Sequence, residues 1–513
     1  LIIKGNNLLA LHTLKEKYAG KVKLIYIDVP YYFSKKVEGD TFKYNSDFKL
    51  STWLTFMRNR LFISKELLSN EGSIFIHSND ESQGYLKVLC DEIFGSHNYL
   101  NTIAINLKNI AGASGGGEDK RFKKNVEYIH IYANDINQLP VFKNIYSYEE
   151  LYSMVDRYKK EGTSWKYTSV LYYEGEKKYI GSTRTGNGEE IRIFERINPV
   201  FKSVSALAKE ENCTEKEIYY KYIDRIHQTQ MPQSSIRTRV MDKVQELGNE
   251  SEFFSIEYVP RTGRNKGNVY EQFYKGKNFR LLAWLKDVVV NREGDILKAD
   301  LMGTYWDYVS ETKNLSKEGS VVLNNGKKPE KLLHDIIETS TEEGEIVLDF
   351  FLGSGTTAAV AHKMDRKYIG IEQVDYDENN PQYRLMNVIK GDETGISRDV
   401  NWKKGGSFVY VELMEKNRGF LKSIRDAKNQ NELHSVFQFM LKEAEIDFRV
   451  DLEEVQDTLH ELSLDDQKKT LIKIIDKNQL YYNYSEIDDE NVRDLISDSD
   501  YAFNKNFYDK GGE

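Results

Sequence analysis

The chain has 513 residues and a formal net charge of −9 at pH 7, and 40% of its residues are hydrophobic. This length allows about three domains of ordinary size, and the negative charge excludes a uniformly cationic nucleic-acid binder. Two cysteines, Cys90 and Cys213, are too few for a disulfide framework, and no apolar run reaches the roughly 18 residues of a membrane span. We therefore expect a cytoplasmic protein. Because the chain opens with Leu1, we also expect that an N-terminal piece precedes it.

Short apolar segments alternate with amphipathic segments through residues 1–135. Apolar runs predict strands, and apolar residues at helical spacing predict helices. This alternation indicates an open, mostly parallel sheet with helices on both faces. The strands are predicted at 23–27, 73–77 and 126–132, and the helices at 53–68 and 83–94.

Two short motifs lie far apart in the chain. Ile-Asp-Val-Pro-Tyr occupies 27–31, and Val-Leu-Asp-Phe-Phe-Leu-Gly-Ser-Gly-Thr-Thr occupies 347–357. The second motif predicts a strand, a tight turn and a helix start, where backbone N–H groups can bind a polar ligand. The segment 367–373 predicts another strand that ends in Glu372, roughly 20 residues further on, where a carboxylate can accept hydrogen bonds from ribose hydroxyls. Together, the loop and Glu372 predict a site for a nucleoside cofactor.

In these motifs the chain resembles the beta-class amino-methylating DNA methyltransferases, in which the catalytic motif precedes the cofactor motif. Residues 28–31 stand where that family carries Asp-Pro-Pro-Tyr, and 351–355 match its Phe-x-Gly-x-Gly element. Lys-Lys-Pro-Glu at 327–330 matches the family's helix-opening segment beside the methionine end of the cofactor. The greatest similarity is to the modification (Mod) subunits of type III restriction systems, in segments 1–11, 44–48, 51–57 and 72–77.

The resemblance implies an α/β fold with a circularly permuted, Rossmann-like methyltransferase domain that binds S-adenosyl-L-methionine. It also implies an inserted target-recognition domain and a C-terminal α-rich interaction domain. The expected domains are 1–135 for the catalytic half, 136–315 for target recognition, 316–400 for the cofactor-binding half and 401–513 for subunit contacts.

The activity that the resemblance implies is methylation of adenine N6 at a specific site in double-stranded DNA, without a metal, in the bacterial cytoplasm. The implied partners are a second copy of the chain and a restriction (Res) subunit with helicase and nuclease activity. Two alternatives remain open at this stage. One is methylation of cytosine N4, and the other is a catalytically impaired subunit that binds DNA and cofactor.

The catalytic residues implied by the resemblance are Asp28, Val29, Pro30 and Tyr31. The Asp28 carboxylate and the carbonyl of residue 29 would accept hydrogen bonds from the target amine, and Tyr31 would stack on a base flipped out of the duplex. Val29 stands where the family carries proline, whose ring fixes φ, so we expect a less preorganised carbonyl. Phe350, where proline is commoner, is a milder departure.

The cofactor site is expected to include a residue from each end of the chain. Asn6 resembles the segment that approaches the cofactor's adenine, although an asparagine in a turn is also ordinary. Lys328 could meet the cofactor carboxylate or could be solvated, and His77 is expected to be structural. The full expected set is Asn6, Lys328, Pro329, Asp349, Phe351, Gly353, Ser354, Gly355, Thr356, Thr357 and Glu372.

Basic and aromatic residues are interleaved between 258 and 280. Basic side chains can neutralise phosphates, and aromatic rings can stack on exposed bases. A solvated face with ordinary core aromatics is the alternative. Two arginines nearby could pair with guanine edges. The expected DNA-binding residues are Arg237, Arg239, Arg261, Arg264, Lys266, Lys275 and Lys277.

Overall fold

The computed structural model of the protein describes residues 1–32, 50–108, 122–232, 234–261, 265–292, 294–322, 326–374, 376, 379–414, 418–444, 455–456, 458–478, 487–488, 493 and 498–509. The chain divides into two compact units. The first is Leu1–Asn144 together with Gly303–Glu513, and the second is Ile145–Met302. The first unit is therefore assembled from both ends of the chain. None of the helices in these described ranges is long and apolar enough to cross a membrane.

The N-terminal part of the first unit alternates strands and helices. The Asn6 side chain accepts from Leu8 N and begins the first helix as its N-cap. The elements are β1 (Ile2–Lys4), α1 (Asn7–Tyr18), β2 (Val22–Asp28), α2 (Leu50–Leu67), β3 (Leu68–Ser78), α3 (Gln83–Cys90), β4 (Tyr99–Asn106) and β5 (Val126–Ala133).

The second unit is rich in strands. Its elements are β6 (Tyr146–Glu150), α4 (Leu151–Glu161), β7 (Ser169–Tyr173), β8 (Glu176–Arg184), β9 (Glu190–Ile197), β10 (Val200–Ser203), α5 (Val204–Glu210), α6 (Glu215–Lys221), β11 (Ile226–Gln230), α7 (Ser235–Glu246), β12 (Phe253–Tyr258), β13 (Tyr270–Lys275), β14 (Arg280–Trp284), β15 (Val289–Arg292) and β16 (Asp295–Leu301). They form an antiparallel sheet in the order β10-β7-β11-β14-β13-β12-β9-β8 and a smaller sheet in the order β15-β16-β6.

The chain then returns to the first unit. The remaining elements are β17 (Tyr305–Asp307), α8 (Glu330–Ser340), β18 (Ile346–Asp349), α9 (Thr356–Lys363), β19 (Lys367–Glu372), α10 (Pro381–Lys390), β20 (Tyr410–Glu412), α11 (Arg418–Asp426), α12 (Gln430–Glu443), α13 (Leu464–Asn478) and α14 (Asp498–Asp509). Helices α11, α12 and α13 pack their apolar side chains together around Phe437 and Leu471.

The central sheet of the first unit joins the two ends of the chain. Its order is β17-β4-β5-β3-β2-β18-β19-β1-β20. From β3 to β20 all neighbours are parallel, whereas β5 is antiparallel to both β3 and β4. Strand β18 lies directly beside β2, with Val347 opposite Leu24 and Leu348 opposite Ile25. This largely parallel sheet with intervening helices confirms the expected Rossmann-like α/β class.

The second unit is shorter than the segment 136–315 that the sequence pattern indicated. Lys143 N donates to Thr339 O at 3.0 Å, which ties the residues before Ile145 to the first unit. After Met302, β17 pairs with β4 in the central sheet. Likewise β20, which falls within the expected C-terminal domain 401–513, pairs with β1. Strand pairing, which is not readable from local composition, sets these limits.

Candidate active site

The two sequence motifs meet at the carboxyl edge of the central sheet. Asp28 ends β2 and Asp349 ends the neighbouring strand β18. Burial raises the pKa of Asp349 to about 7, hydrogen bonds from Thr357 and the backbone oppose this rise, and the charges of Asp28 and Glu372 add to it. Carboxyl edges of parallel strands are where α/β proteins bind ligands. The fold therefore places the acidic Pro-Tyr motif beside the glycine loop.

The Asp28 carboxylate is held by a lysine from the other end of the chain. Lys328 Nζ lies 2.8 Å from Asp28 Oδ2 and 3.0 Å from the Tyr31 hydroxyl. Its third neighbour is Glu127 Oε2, at 3.4 Å. Although burial lowers the pKa of Lys328, Asp28 and Glu127 outweigh it and raise that pKa. Lys328, expected to meet the cofactor or to be solvated, is thus a buried ammonium between two carboxylates.

The two oxygens of the Asp28 carboxylate differ in their surroundings. Oδ2 accepts from Lys328, whereas Oδ1 is buried and has no hydrogen-bond partner among the described residues. A buried carboxylate oxygen that lacks a donor is destabilising unless a ligand supplies one. Oδ1 is therefore the atom of this site that is best suited to accept a hydrogen bond from a bound molecule.

The backbone of the motif is fixed by neighbouring elements. Trp53 Nε1 donates to Pro30 O at 2.8 Å, and Val29 N donates to His77 O at 3.2 Å. The Val29 side chain is only 2% exposed. Val29 is thus a packed core residue whose N–H has a partner, a bond that the family's proline could not make.

The glycine loop begins directly after β18. Gly353 and Gly355 have φ of 56° and 82°, values that favour glycine. A Cβ at Gly355 would also lie 3.1 Å from Pro381 Cα. Asp349 braces the turn, because its carboxylate accepts from Phe351 N at 3.0 Å and from Thr357 Oγ1 at 2.6 Å. The carboxylate of Asp349 therefore stabilises the conformation of the loop, and its hydrogen bonds are made within the protein.

Glu372 lies at the end of β19, next to the loop. Its Oε2 accepts from Gly353 N at 2.7 Å, and its Oε1 accepts from Gln373 N at 2.9 Å and Val374 N at 2.7 Å. The carboxylate thus fixes the conformation of the loop. The acceptor chemistry fits the sugar of a nucleoside cofactor.

A buried ionic network joins the loop to the segment 327–330. Arg384, fully buried, donates to Thr356 Oγ1 at 2.7 Å, is 3.4 Å from Ser354 Oγ, and donates to Glu330 Oε1 at 2.9 Å. Although burial raises the pKa of Glu330, Arg384 and Lys363 outweigh it and lower that pKa. Pro329, also buried, precedes α8 with φ of −63°. Ser354, Thr356 and Pro329 therefore have positions that support the loop.

Glu127 was not among the residues indicated by the sequence. It lies on β5 and its Oε2 accepts from the Tyr31 hydroxyl at 3.0 Å. His77 Nε2 is 3.0 Å from the same oxygen, and His77 Nδ1 is 3.0 Å from the Tyr26 hydroxyl. An acid in the strand Val-Glu-Tyr-Ile-His-Ile-Tyr-Ala, whose other residues except His130 are apolar or aromatic, was a signal that could have identified Glu127.

The basic residues of the second unit have varied surroundings. Arg237 donates to Asn278 O at 2.8 and 3.1 Å, Arg261 forms an ion pair with Glu189, and Lys275 Nζ lies 3.5 Å from the centre of the Phe201 ring. Arg239, Lys266 and Lys277 are exposed. Arg264 and the segment 44–48 lie outside the described residues.

Two of the aromatic rings between residues 258 and 280 are too buried to stack on a DNA base. Phe273 and Tyr274 are 6% and 1% exposed and lie in the cores of the second unit. Tyr258 and Tyr270 are half-buried and pack edge to face. For Phe273 and Tyr274 the expectation of stacking on bases is therefore wrong, because these consecutive residues of β13 point to opposite faces of the sheet and each fills an apolar core there.

Comparison with known proteins identifies the family. Residues 22–250 and 259–379 match the family model described as DNA methylase, N6_N4_Mtase. The probable type III restriction-modification enzyme HindVI Mod subunit of Haemophilus influenzae is 40% identical over 515 residues, which cover 99% of this chain and 67% of that protein. The EcoP15I Mod subunit of Escherichia coli is 27% identical over 426 residues, covering 72% of this chain and 56% of that protein.

A solved structure of a DNA modification methylase from Thermus thermophilus, complexed with S-adenosyl-L-methionine, is 11% identical, covers 80% of this chain and 96% of its own, and has a TM-score of 0.32. The chain spans about two thirds of the length of the HindVI subunit and just over half of the EcoP15I subunit. The family match and the 40% identity confirm the resemblance that the motifs indicated. The chain belongs to the N6/N4 DNA methylase family and is similar to type III Mod subunits.

Proposed function

We propose that this chain transfers a methyl group from S-adenosyl-L-methionine to N6 of adenine at a specific sequence in double-stranded DNA. The observation that carries the proposal is that Asp28 and the glycine loop follow two adjacent strands, β2 and β18. The buried Oδ1 of Asp28 has no hydrogen-bond partner in the described part of the chain. An acceptor for an amine and a loop for a nucleoside cofactor thus share one edge of the sheet.

The chemistry follows from the poor nucleophilicity of an exocyclic amine, whose lone pair is delocalised into the ring. Asp28 Oδ1 and the carbonyl of Val29 would accept from the two amine hydrogens and draw the nitrogen toward a tetrahedral geometry, which exposes the lone pair. Tyr31 would stack on the flipped base. The bound cofactor supplies a methyl group already activated by the sulfonium charge, so the protein contributes positioning and electrostatics.

The residues of the loop suit that cofactor. Glu372 offers a carboxylate at the position expected for ribose recognition, and the positive φ of Gly353 and Gly355 allows a close approach of backbone to ligand. We propose that the cofactor binds against this loop. Asn6, which follows strand β1, would lie near its adenine. The role of Asn6 toward the adenine stays a prediction, because its side chain already caps α1.

Adenine is favoured over cytosine because the Asp-x-Pro-Tyr motif resembles that of adenine-specific relatives, which is an argument by analogy. Cytosine N4 is the second candidate, since both amines suit the same pair of acceptors. We further propose that the second unit recognises the DNA target. Two copies of the chain would form a dimer, and this dimer would assemble with a Res subunit. These partners are supported by the similarity to type III Mod subunits.

The experiment is single-turnover methylation of duplex DNA with labelled cofactor, comparing the parent with Asp28→Asn and Asp28→Ala. Both variants should lose methyl transfer while cofactor affinity stays within a few fold, because the carboxylate acts on the amine. Asp399→Asn, at an exposed position, is the matched control. Mass spectrometry of the nucleosides distinguishes N6-methyladenine from N4-methylcytosine. A parental rate in Asp28→Asn would overturn the mechanism.

A further inference from the structure

Glu127 is a largely buried acid that lies beside Tyr31 and Lys328, next to the carboxylate proposed to bind the target amine. It lies on β5, the strand that runs antiparallel to β3. Its side chain is 13% exposed, and its Oε2 receives the Tyr31 hydroxyl at 3.0 Å and the Lys328 ammonium at 3.4 Å. One carboxylate oxygen thus contacts both the ring expected to stack on the base and the cation that holds Asp28.

The carboxyl group of Glu127 is ionised under ordinary conditions. Burial raises its pKa, but the Lys328 ammonium and the neighbouring His77 ring outweigh burial and hold the pKa well below its ordinary value. The exposed Lys108 adds a weaker contribution from 3.8 Å. Asp28 and Glu127 together therefore bring two carboxylates to the single ammonium of Lys328.

The position of Glu127 is itself fixed by the buried ring of His77. His77 is completely buried at the end of β3, opposite Asp28 in the parallel pairing of β2 and β3. Its ring links the Glu127 carboxylate to the buried Tyr26 hydroxyl. Because each member of this chain of contacts is packed in the sheet, the carboxylate cannot follow a displaced Tyr31 or Lys328 far.

We propose that Glu127 is a positioning residue of the methyl-acceptor site formed by Asp28, the Val29 carbonyl and Tyr31, where it fixes the Tyr31 ring and the Lys328 ammonium. The inference rests on the proposed methyltransfer. In that reaction the N–C bond forms as the S–C bond breaks, the positive charge passes from sulfur to the amine nitrogen, and a proton then leaves to water. The Asp28 carboxylate, whose position depends on Lys328 and through it on Glu127, favours the positive charge on nitrogen.

The first test compares Glu127→Gln, Glu127→Ala and the parent in single-turnover methylation. We expect a fall of about 10- to 100-fold in the glutamine variant, with cofactor affinity unchanged. The matched control is Glu71→Gln, because Glu71 is 62% exposed and pairs only loosely with Lys23 on the same sheet. Since part of the effect of Glu127 passes through Lys328, the same substitution should add less in a Lys328→Met background than in the parent.

The stacking of the flipped base is read separately. With 2-aminopurine at the target position, the parent should quench the fluorescence of the flipped base on Tyr31, and Glu127→Ala should quench less because the ring is no longer held. A Glu127→Gln rate and a Glu127→Ala quenching equal to those of the parent would overturn the proposal.

A second measurement does not depend on methylation. The protein is labelled at lysine side-chain carbons and studied by NMR without DNA. The resonance that disappears in Lys328→Met is assigned to Lys328, and its change with pH gives the pKa of the ammonium group. Glu127→Gln should lower that pKa, since one of its two carboxylate neighbours is gone, and Glu71→Gln should not. An unchanged titration refutes the contact itself. A lowered pKa in a protein that methylates no DNA would instead refute the proposed function.

Discussion

Lys328 Nζ donates to Asp28 Oδ2 at 2.8 Å although 300 positions of sequence separate the two residues. This ion pair spans the two halves of the permuted domain at the edge where β2 and β18 lie side by side. Removing one partner of a buried pair is strongly destabilising, because it leaves an uncompensated charge. The pair therefore makes the orientation of Asp28 dependent on the correct assembly of both ends of the chain.

Replacement of Lys328 by methionine should lower the single-turnover rate by about tenfold or more while cofactor affinity changes little. The acid limb of the pH–rate profile should also move to higher pH. The Lys328 charge helps to hold the pKa of Glu127 below its ordinary value, so without it the carboxyl group is protonated at higher pH. Lys313→Met, at an exposed position, is the control. A loss confined to cofactor affinity would show that Lys328 instead binds the cofactor carboxylate.

Replacement of Glu372 by alanine should weaken cofactor binding by about 1–3 kcal/mol, through the loss of charge-assisted hydrogen bonds. Three backbone N–H groups that now donate to Glu372 would also lose their acceptor. The loop could therefore become less ordered, which would weaken cofactor binding even if Glu372 did not contact the ribose. Calorimetry with S-adenosyl-homocysteine and its analogue without ribose hydroxyls separates the two effects. If Glu372 recognises the ribose, the preference of the parent for the hydroxylated ligand disappears in the variant. A preference that survives unchanged assigns Glu372 to loop support alone.

Neutralisation of Arg261, Arg264 and Lys266 together should weaken DNA binding and flatten its salt dependence. Each lost phosphate contact removes roughly 0.9 from the log–log slope. The ion pair of Arg261 with Glu189 makes its share of the effect smaller, whereas Lys266 is exposed. Neutralising three lysines at the C-terminal end of α1 and just beyond it, Lys15, Lys17 and Lys21, is the matched control. Equal slopes in both triple variants would assign the 261–266 segment to a solvated face.

Replacement of Val29 by proline should leave the single-turnover rate equal or raise it, up to about tenfold, by restricting φ at the acceptor carbonyl. The structure adds an opposing effect on stability. Proline removes the N–H that donates to His77 O, so the free energy of unfolding should fall by about 1 kcal/mol. Val29→Ala keeps the N–H and separates packing from backbone restriction. A clear fall in the rate with proline, but not with alanine, would show that the pocket is adapted to valine.

The local sequence determined the strand that ends in Asp28, the glycine turn after Asp349 and the strand that ends in Glu372. These features depend on backbone geometry and on the burial of neighbours in sequence, which residue type and spacing report directly. The family, and with it the N6/N4 methylation chemistry, followed from the same short motifs.

Only the tertiary structure decided which side chains meet. Lys328 reaches Asp28 because β18 is inserted between β2 and β19, and Glu127 reaches Tyr31 because β5 runs antiparallel beside β3. Apolar side chains cover both faces of the sheet at β13, which buries Phe273 on one face and Tyr274 on the other. The strand order arises from the packing of elements that lie far apart in the sequence, so no local pattern encodes it.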